Sequence, residues 1–325
     1  MQVTSSDSPE APAISVVMPT YNTPIPYLQE AVESVLNQTF RDFELVVIDD
    51  CSTNGSDEYL KKLRDERIKI IWNKENLGVT KSLNIGLKAA KGKYIARMDA
   101  DDVSAPNRLE KQFAFLEAHS DVVLVGSYYE AFSEHFSKII VQNIKSQSLY
   151  RIKSLFRNPG PAHPTLLIRR EAIELHRVIY DESLIYAQDY GLFVEMCKYG
   201  DVAVFPEILV KKRVHKRQIC VLHRKKQREC DQLVQKKLLE ELDLTPDKEA
   251  LDFHYRFSYE SIRKIELYKG FKWILKLNHL NFRLKKYRRL DFLLFSLKVF
   301  IGQFLMLFFD DAYKFFYKIT HQSKI

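Results

Sequence analysis

Glycine is scarce, 10 in 325 residues, and none follows the first apolar run. Thr20-Tyr21-Asn22 stands where a dinucleotide fold would place its glycine-rich turn, which argues against NAD binding. The four cysteines, at 51, 197, 220 and 230, form no CxxC pair and no zinc-like spacing. Reduced cytosolic thiols are therefore expected. No basic start leads into an apolar run, so export by a secretory signal is not expected. Residues 1–12 are rich in Ser, Asp, Pro, Glu and Ala, lack apolar periodicity and read as a loose tail.

With 46% apolar residues and 28% charge, the chain can bury a sizeable core in one large domain or two smaller ones. The net charge of +8 is unevenly spread. From residue 204 onward there are 27 Lys and Arg against 14 Asp and Glu, a net of +13, and the part before it carries −5. An anionic partner is expected for the basic part. The excess Lys and Arg fall in helical stretches without a recognition module, so nucleic acid is not the expected partner.

Short apolar runs alternate with helix-like stretches in the front half. Residues 14–18, 43–48, 68–72 and 94–98 read as strands, and 27–37, 57–64 and 79–90 as helices. This alternation predicts an α/β fold with a mainly parallel, doubly wound sheet, in which ligands lie beyond the carboxyl ends of the strands. Each candidate strand runs there into polar residues: Thr20-Tyr21-Asn22, Asp49-Asp50, Asn73 to Gly78, and Asp99 to Asp102. Further strands are expected within 119–143, clearest at 122–125, and at 165–168. An amphipathic helix opens near Gln188-Asp189, and basic helical segments follow over 222–243 and 247–277.

Asp99-Ala100-Asp101-Asp102 is the most informative of these segments. Two acids one residue apart, on a turn at a strand's end, offer oxygens to a hard divalent cation that also bridges a diphosphate. The same residues also read as the start of the next helix, since Asp102 and Ser104 precede Pro106.

In order and spacing, Val17-Met18-Pro19-Thr20-Tyr21-Asn22, Asp49-Asp50-Cys51-Ser52-Thr53, Asn76-Leu77-Gly78, Asp99-Ala100-Asp101-Asp102 and Gln188-Asp189 resemble glycosyltransferase family 2, the inverting nucleotide-sugar enzymes of GT-A fold. The similarity covers about residues 13–217, and the expected organisation is a tail over 1–12, a GT-A domain over 13–217 and a helical region over 218–325. The resemblance implies that Tyr21 packs on the nucleotide base and that Asp50 accepts a hydrogen bond from the uracil imide, which favours UDP-sugars. Pro19, Asn76 and Gly78 fall in the nucleotide-binding motifs; Lys81 and Arg97 either add positive charge there or are ordinary surface and strand-end residues. Asp101 would bind Mn²⁺ or Mg²⁺ directly, and Asp99 would contact the ribose or a metal-bound water. Asp189 is the implied general base, with a helix N-cap as its plainer reading. His215 would complete the metal site or touch the diphosphate, or is one more polar residue in a basic stretch. His163, in a His-Pro-Thr turn, and Gln188 are assigned to the sugar or acceptor pocket.

Residues 282–318 join a cationic cluster to an apolar run over 292–309, about 27 Å of helix and slightly short of a hydrocarbon core. The segment reads either as lying on an anionic membrane surface or as a terminal helix that packs on the domain or forms a homodimer. The expected activity is transfer from a nucleotide-sugar donor to a saccharide or lipid-linked saccharide in cell-surface polysaccharide or lipopolysaccharide synthesis, at the inner face of the cytoplasmic membrane. A sugar nucleotidyltransferase is the second reading, although residues 20–26 lack its glycine-rich basic loop. A non-catalytic membrane or scaffold protein is the third.

Overall fold

Apolar runs form the parallel strands β1 (Ile14–Thr20), β2 (Phe43–Asp49), β3 (Ile68–Trp72) and β4 (Tyr94–Arg97) in the order β3-β2-β1-β4; β1, β2 and β4 are almost wholly buried, and β3 is the partly exposed edge strand. The structure is a computed structural model and describes residues 11–142, 144, 146–215 and 223–308. The expected tail lies, up to residue 10, outside the described residues.

The crossovers are α1 (Ile25–Leu36), α2 (Ser56–Lys62) and α3 (Val79–Ala89). Leu28, Ala31, Val32 and Val35 recur at helical spacing and form the buried face of α1. Gly86 lets α3 press on the sheet, because a Cβ there would lie 2.4 Å from Val17 Cγ1 and 2.9 Å from Ile48 Cδ1. Since the four strands share a direction, their polar carboxyl ends gather on one edge, as expected.

Beyond β4 the sheet becomes mixed. β8 (Leu167–Arg169) runs antiparallel to β4 and to β6 (Val122–Phe132). β9 (Asp201–Arg213) is parallel to β6, while β5 (Val103–Ser104) and β7 (Ser137–Ile140) pair antiparallel with β9 and β6. A 3-10 turn over His163–Thr165 leads directly into β8. Arg108 opens α4 (Arg108–Ala118) and is fully buried; its Nη2 donates to the Arg97 and Leu166 carbonyls at 2.8 and 3.1 Å. That bond pair fixes the end of β4, where the acidic segment begins.

The chain divides into two compact units. The described residues within Met1–Ile140, Pro161–Tyr180 and Tyr199–His215 make the sheet unit, which includes α6 (Arg170–His176). Its core contains Val16, Met18, Leu45, Val47, Ala96 and Leu167. The described residues within Val141–Gly160, Asp181–Lys198 and Lys216–Ile325 make a helical unit of α5 (Gln147–Phe156), α7 (Gln188–Met196), α8 (Arg224–Glu240), α9 (Lys248–Tyr259), α10 (Leu267–Leu284) and α11 (Arg289–Phe308). Phe156, Tyr190, Leu239, Phe257, Leu277 and Phe292 are in its core.

The helical unit takes in segments that precede residue 217. Both α5 and α7 pack with the C-terminal helices, and Gln235 Nε2 donates to the Phe156 carbonyl at 2.6 Å. The helix expected over 247–277 is also two helices, α9 and α10. Buried Ile262 lies between them, the Arg256–Glu266 ion pair closes the bend, and a Cβ at Gly270 would sit 2.9 Å from Phe257. The close approach of the two helices is what folds the segment back.

Candidate active site

The loops after β1, β2 and β3 are tied to one another at the strand-end edge. Asn22, with φ of +50°, accepts the Thr53 N–H on Oδ1 at 2.7 Å, and its own N–H donates to Ser52 Oγ at 2.9 Å. Tyr21 beside it is 51% exposed. Pro19 lies in β1, two residues earlier. Asp49 Oδ2 accepts the Ser52 N–H at 3.1 Å, and its Oδ1 is buried with no hydrogen-bond partner among the described residues.

Asp50 is buried and braces the third loop. Its Oδ1 accepts from Asn73 Nδ2 at 2.7 Å and from the Leu77 N–H at 2.9 Å, and its Oδ2 accepts the Gly78 N–H at 2.8 Å. A carboxylate offers about four acceptor sites, so one remains for a ligand. Gly78 caps α3 with φ of +85°, a conformation that glycine adopts without strain. Asn76 and Lys81 are exposed on the same loop and first helical turn.

At the end of β4, oxygens of Asp99, Asp101 and Asp102 all lie within 4.8 Å of one another. Arg97 is buried and ion-pairs with Asp99. Burial works against ionisation of Asp99, but Arg97 outweighs it, with help from Lys212, and brings the carboxyl down to about 2. Burial and then Asp99 push Asp101 up, opposed by His215, whose Nε2 is 2.8 Å from Asp101 Oδ2. Asp102 is pushed well above the ordinary value by burial, Asp99 and Asp101.

Asp102 does not start the next helix, whose N-cap is Asn107. Its Oδ1 accepts the Arg213 N–H at 2.8 Å, and its Oδ2 is buried with no hydrogen-bond partner among the described residues. A buried carboxylate oxygen without a donor, beside two further carboxylates and an imidazole, fits a hard divalent cation. Arg213 also donates Nε to the Asp101 carbonyl at 3.0 Å, and its guanidinium lies 4.1 Å from the Tyr27 ring centroid. Against burial, Asp99 and then Asp102 hold the Lys212 ammonium above its ordinary value.

His163 is buried with Nε2 2.8 Å from the Tyr180 hydroxyl, a side-chain partner rather than a backbone one. Burial, then Arg97, keeps it well below its ordinary value, so the imidazole is neutral at pH 7.

Gln188 and Asp189 open α7 in the helical unit. Asp189 is in the first turn, one residue past the start, and the N-cap is Ala187. Its Oδ2 accepts from Asn158 Nδ2 at 3.2 Å and its Oδ1 from the Tyr190 N–H at 2.7 Å. Asn158 in turn donates its backbone N–H to the Tyr259 hydroxyl at 2.8 Å. Gln188 Oε1 is buried with no hydrogen-bond partner among the described residues.

Asp231 on α8 is a residue that sequence reasoning missed. It is 8% exposed, and burial, then the charge of Asp189, lift its carboxyl to about 7. A folded-state value above the unfolded one means that ionising Asp231 costs stability: nothing below about pH 4, and the full amount above about pH 7. Asp231→Asn is therefore expected to stabilise the protein by roughly 2–4 kcal/mol at pH 8 and by little at pH 4. Urea denaturation at both pH values measures this, and an equal change at both would remove burial as the cause.

Thus Asp99 and Asp101 have oxygens within 4.8 Å of each other and His215 contacts Asp101, while Pro19, Tyr21, Asp50, Asn76, Gly78 and Lys81 share their sheet edge. Asp102 adjoins the motif and was accessible to sequence reading as a third ligand. Nothing local marks Tyr180, Asn158, Lys212 or Arg213 for the partners they meet.

A family model for glycosyl transferase family 2 matches residues 15–176. An uncharacterized glycosyltransferase of Haemophilus influenzae is 36% identical over 229 residues, 67% of this chain and 70% of that protein. Among solved structures, S. aureus TarS 1–349 in complex with UDP-GlcNAc aligns with a TM-score of 0.59 at 18% identity, over 91% of this chain and 93% of that one. The mannosyltransferase PcManGT from Pyrobaculum calidifontis, in complex with GDP-Man and Mn²⁺, aligns with a TM-score of 0.55 at 19% identity, over 76% and 70%. The fold is that of the GT-A glycosyltransferases. The chain belongs to glycosyl transferase family 2.

Proposed function

We propose that this glycosyltransferase moves a sugar, with inversion, from a nucleoside diphosphate donor, preferably a UDP-sugar, to a hydroxyl of a saccharide or lipid-linked saccharide. The observation that carries the reading is the cluster of Asp99, Asp101 and Asp102, with Arg97, Lys212, Arg213 and His215 in contact or electrostatic reach. The neighbours support it: TarS is solved with UDP-GlcNAc, and PcManGT with GDP-Man and Mn²⁺.

Asp101 and His215, with Asp99, would hold Mn²⁺ or Mg²⁺. Such an ion, when bound, acts as a Lewis acid toward the negative charge that builds on a departing diphosphate. Tyr21 stacks on the base, and the remaining acceptor site of Asp50 takes the uracil N–H. Pro19, Asn76, Gly78 and Lys81 shape the nucleotide edge, while His163, held by Tyr180, and Gln188 serve the sugar or acceptor. Asp189 takes the acceptor hydroxyl's proton as that oxygen attacks the anomeric carbon opposite the diphosphate. Residues 13–217 form the catalytic domain in this reading, and 218–325 the region that meets an anionic membrane or a second copy. The acceptor belongs to cell-surface polysaccharide or lipopolysaccharide synthesis at the cytoplasmic leaflet.

The test incubates the protein with UDP-, GDP- and dTDP-sugars, with Mn²⁺ or Mg²⁺, and measures released nucleoside diphosphate. UDP-sugars are expected to be turned over fastest. Pyrophosphate release from a nucleoside triphosphate and a sugar phosphate would instead establish a nucleotidyltransferase. Asp50→Asn places an amide among three N–H donors and is expected to weaken UDP binding by about tenfold or more, roughly one charge-assisted hydrogen bond. Calorimetric titration with UDP reads this, and unchanged affinity would remove Asp50 from the nucleotide site.

A further inference from the structure

Helices α10 and α11 each carry two apolar faces, of which only one is used by the fold. Successive residues are about 100° apart on a helix. On α10 this places Trp273, Ile274, Leu277 and Leu280 in the core, and Tyr268, Phe271, Leu275 and Phe282 on an opposite, exposed stripe. Lys269, Lys272, Lys276 and Arg283 fall between the two. On α11 the inner stripe is Phe292, Phe295, Ser296, Val299 and Gln303. Its outer stripe, Leu290, Leu293, Leu294, Ile301, Phe304 and Phe308, is exposed and apolar, with exposed Lys298 at its edge. Phe271 packs on Phe300 of α11 with ring centroids 5.8 Å apart, so the outer stripes adjoin.

By length and composition α11 is also long and apolar enough to cross a membrane. Its polar contacts argue against crossing. Gln303 donates to the Phe257 and Glu260 carbonyls at 2.8 and 2.7 Å and accepts the Ile262 N–H at 3.0 Å. Ser296 accepts from Asn278 at 2.8 Å. A spanning α11 would give up these bonds and its inner stripe together.

Charge selects the occupant of the outer face. Arg283, Lys285, Lys286, Arg288 and Arg289 surround the α10–α11 turn. Arg283, Lys286 and Arg288 ion-pair with Asp243, Glu241 and Asp291, and Arg289 lies 3.9 Å from the Phe282 ring centroid. Along α10, Lys269 pairs with Glu249, and Lys272 and Lys276 lie over Tyr268 and Trp273. A second copy related by a two-fold axis would set these cationic rows against each other, whereas a lipid surface with negative headgroups complements both the cations and the apolar stripes.

We propose that the outer faces of α10 and α11 form one docking surface for an anionic bilayer, with α11 lying in the plane of the interface. The proposal rests on the functional reading for its purpose, presenting the enzyme to a membrane-borne acceptor, and on the two helices for its geometry. Flotation of the full chain with vesicles of phosphatidylcholine containing one third phosphatidylglycerol tests it, with pure phosphatidylcholine as the comparison. The wild type is expected to partition at least about tenfold more strongly onto the anionic vesicles, and less strongly as salt rises. Leu294→Glu with Ile301→Glu, both at exposed positions, is expected to lose about tenfold or more of that binding with its circular dichroism unchanged. Lys285→Glu with Arg289→Glu is expected to lose the preference for anionic lipid. Absence of wild-type binding, or binding unaffected by the glutamate pair, would overturn the proposal, as would a dimer that the pair converts to monomer without any vesicle binding. UDP binding in solution, measured on the same preparations, separates failure of the docking surface from failure of the transferase reading.

Discussion

Asp101→Ala is expected to lower metal-dependent release of nucleoside diphosphate from a UDP-sugar by about a thousandfold or more, the scale of losing a principal electrostatic stabiliser of a leaving group. The reasoning starts from crowding. Oxygens of three carboxylates within 4.8 Å repel one another, and two of the three, Asp101 and Asp102, are held above their ordinary values. A divalent cation would relieve that repulsion, so the cluster trades stability of the free protein for affinity toward the ion. Removing Asp101 also leaves His215 without its carboxylate partner. Because the substitution relieves repulsion, the variant should unfold no earlier than the wild type, and a thermal melt alongside the turnover assay separates loss of chemistry from loss of fold. Retained turnover in a well-folded variant would remove Asp101 from the metal site.

Asp189→Asn is expected to lower turnover by 10² to 10⁴-fold, the usual contribution of a positioned general base, while donor affinity stays within about twofold. Asparagine keeps the size of the side chain, and its single Oδ1 can still accept the Tyr190 N–H, so α7 should keep its start, while the amide that replaces Oδ2 gives up the bond from Asn158 Nδ2. What it cannot do is carry away the acceptor's proton. Steady-state rates with acceptor present, set beside calorimetric donor affinity, distinguish a lost base from a lost binding group. A fall in donor affinity with unchanged turnover would return Asp189 to the structural role of a first-turn acid.

The strand-end edge was legible in the sequence because parallel strands buried on both faces are written as apolar runs, and each run stops at a polar segment. β3 has the expected bounds, and the acidic motif falls where the alternation puts it. The second unit was less legible for a physical reason. The helices α5 and α7 are short, and the positions of Tyr150, Leu155, Tyr190 and Phe193 do not state which distant helix covers them. The bend between α9 and α10 depends on Gly270 meeting Phe257 and on the Arg256–Glu266 pair, contacts that a periodicity cannot encode. Asp231 likewise sits in a basic helix that reads as solvated, and only tertiary packing makes it a buried acid. Asp50 shows the converse: its motif marks it as a nucleotide residue, and its bonds to Asn73, Leu77 and Gly78 add the task of holding the third loop.

Binding of UDP to the wild type and to Asp101→Asn, by isothermal titration with and without Mn²⁺, tests the central claim that the acid cluster grips a cation against a diphosphate. The account predicts that UDP binds the wild type at least about tenfold more tightly when Mn²⁺ is present, and that the variant loses this gain. UDP binding of equal strength with and without the metal, or no binding of any nucleoside diphosphate, would contradict it.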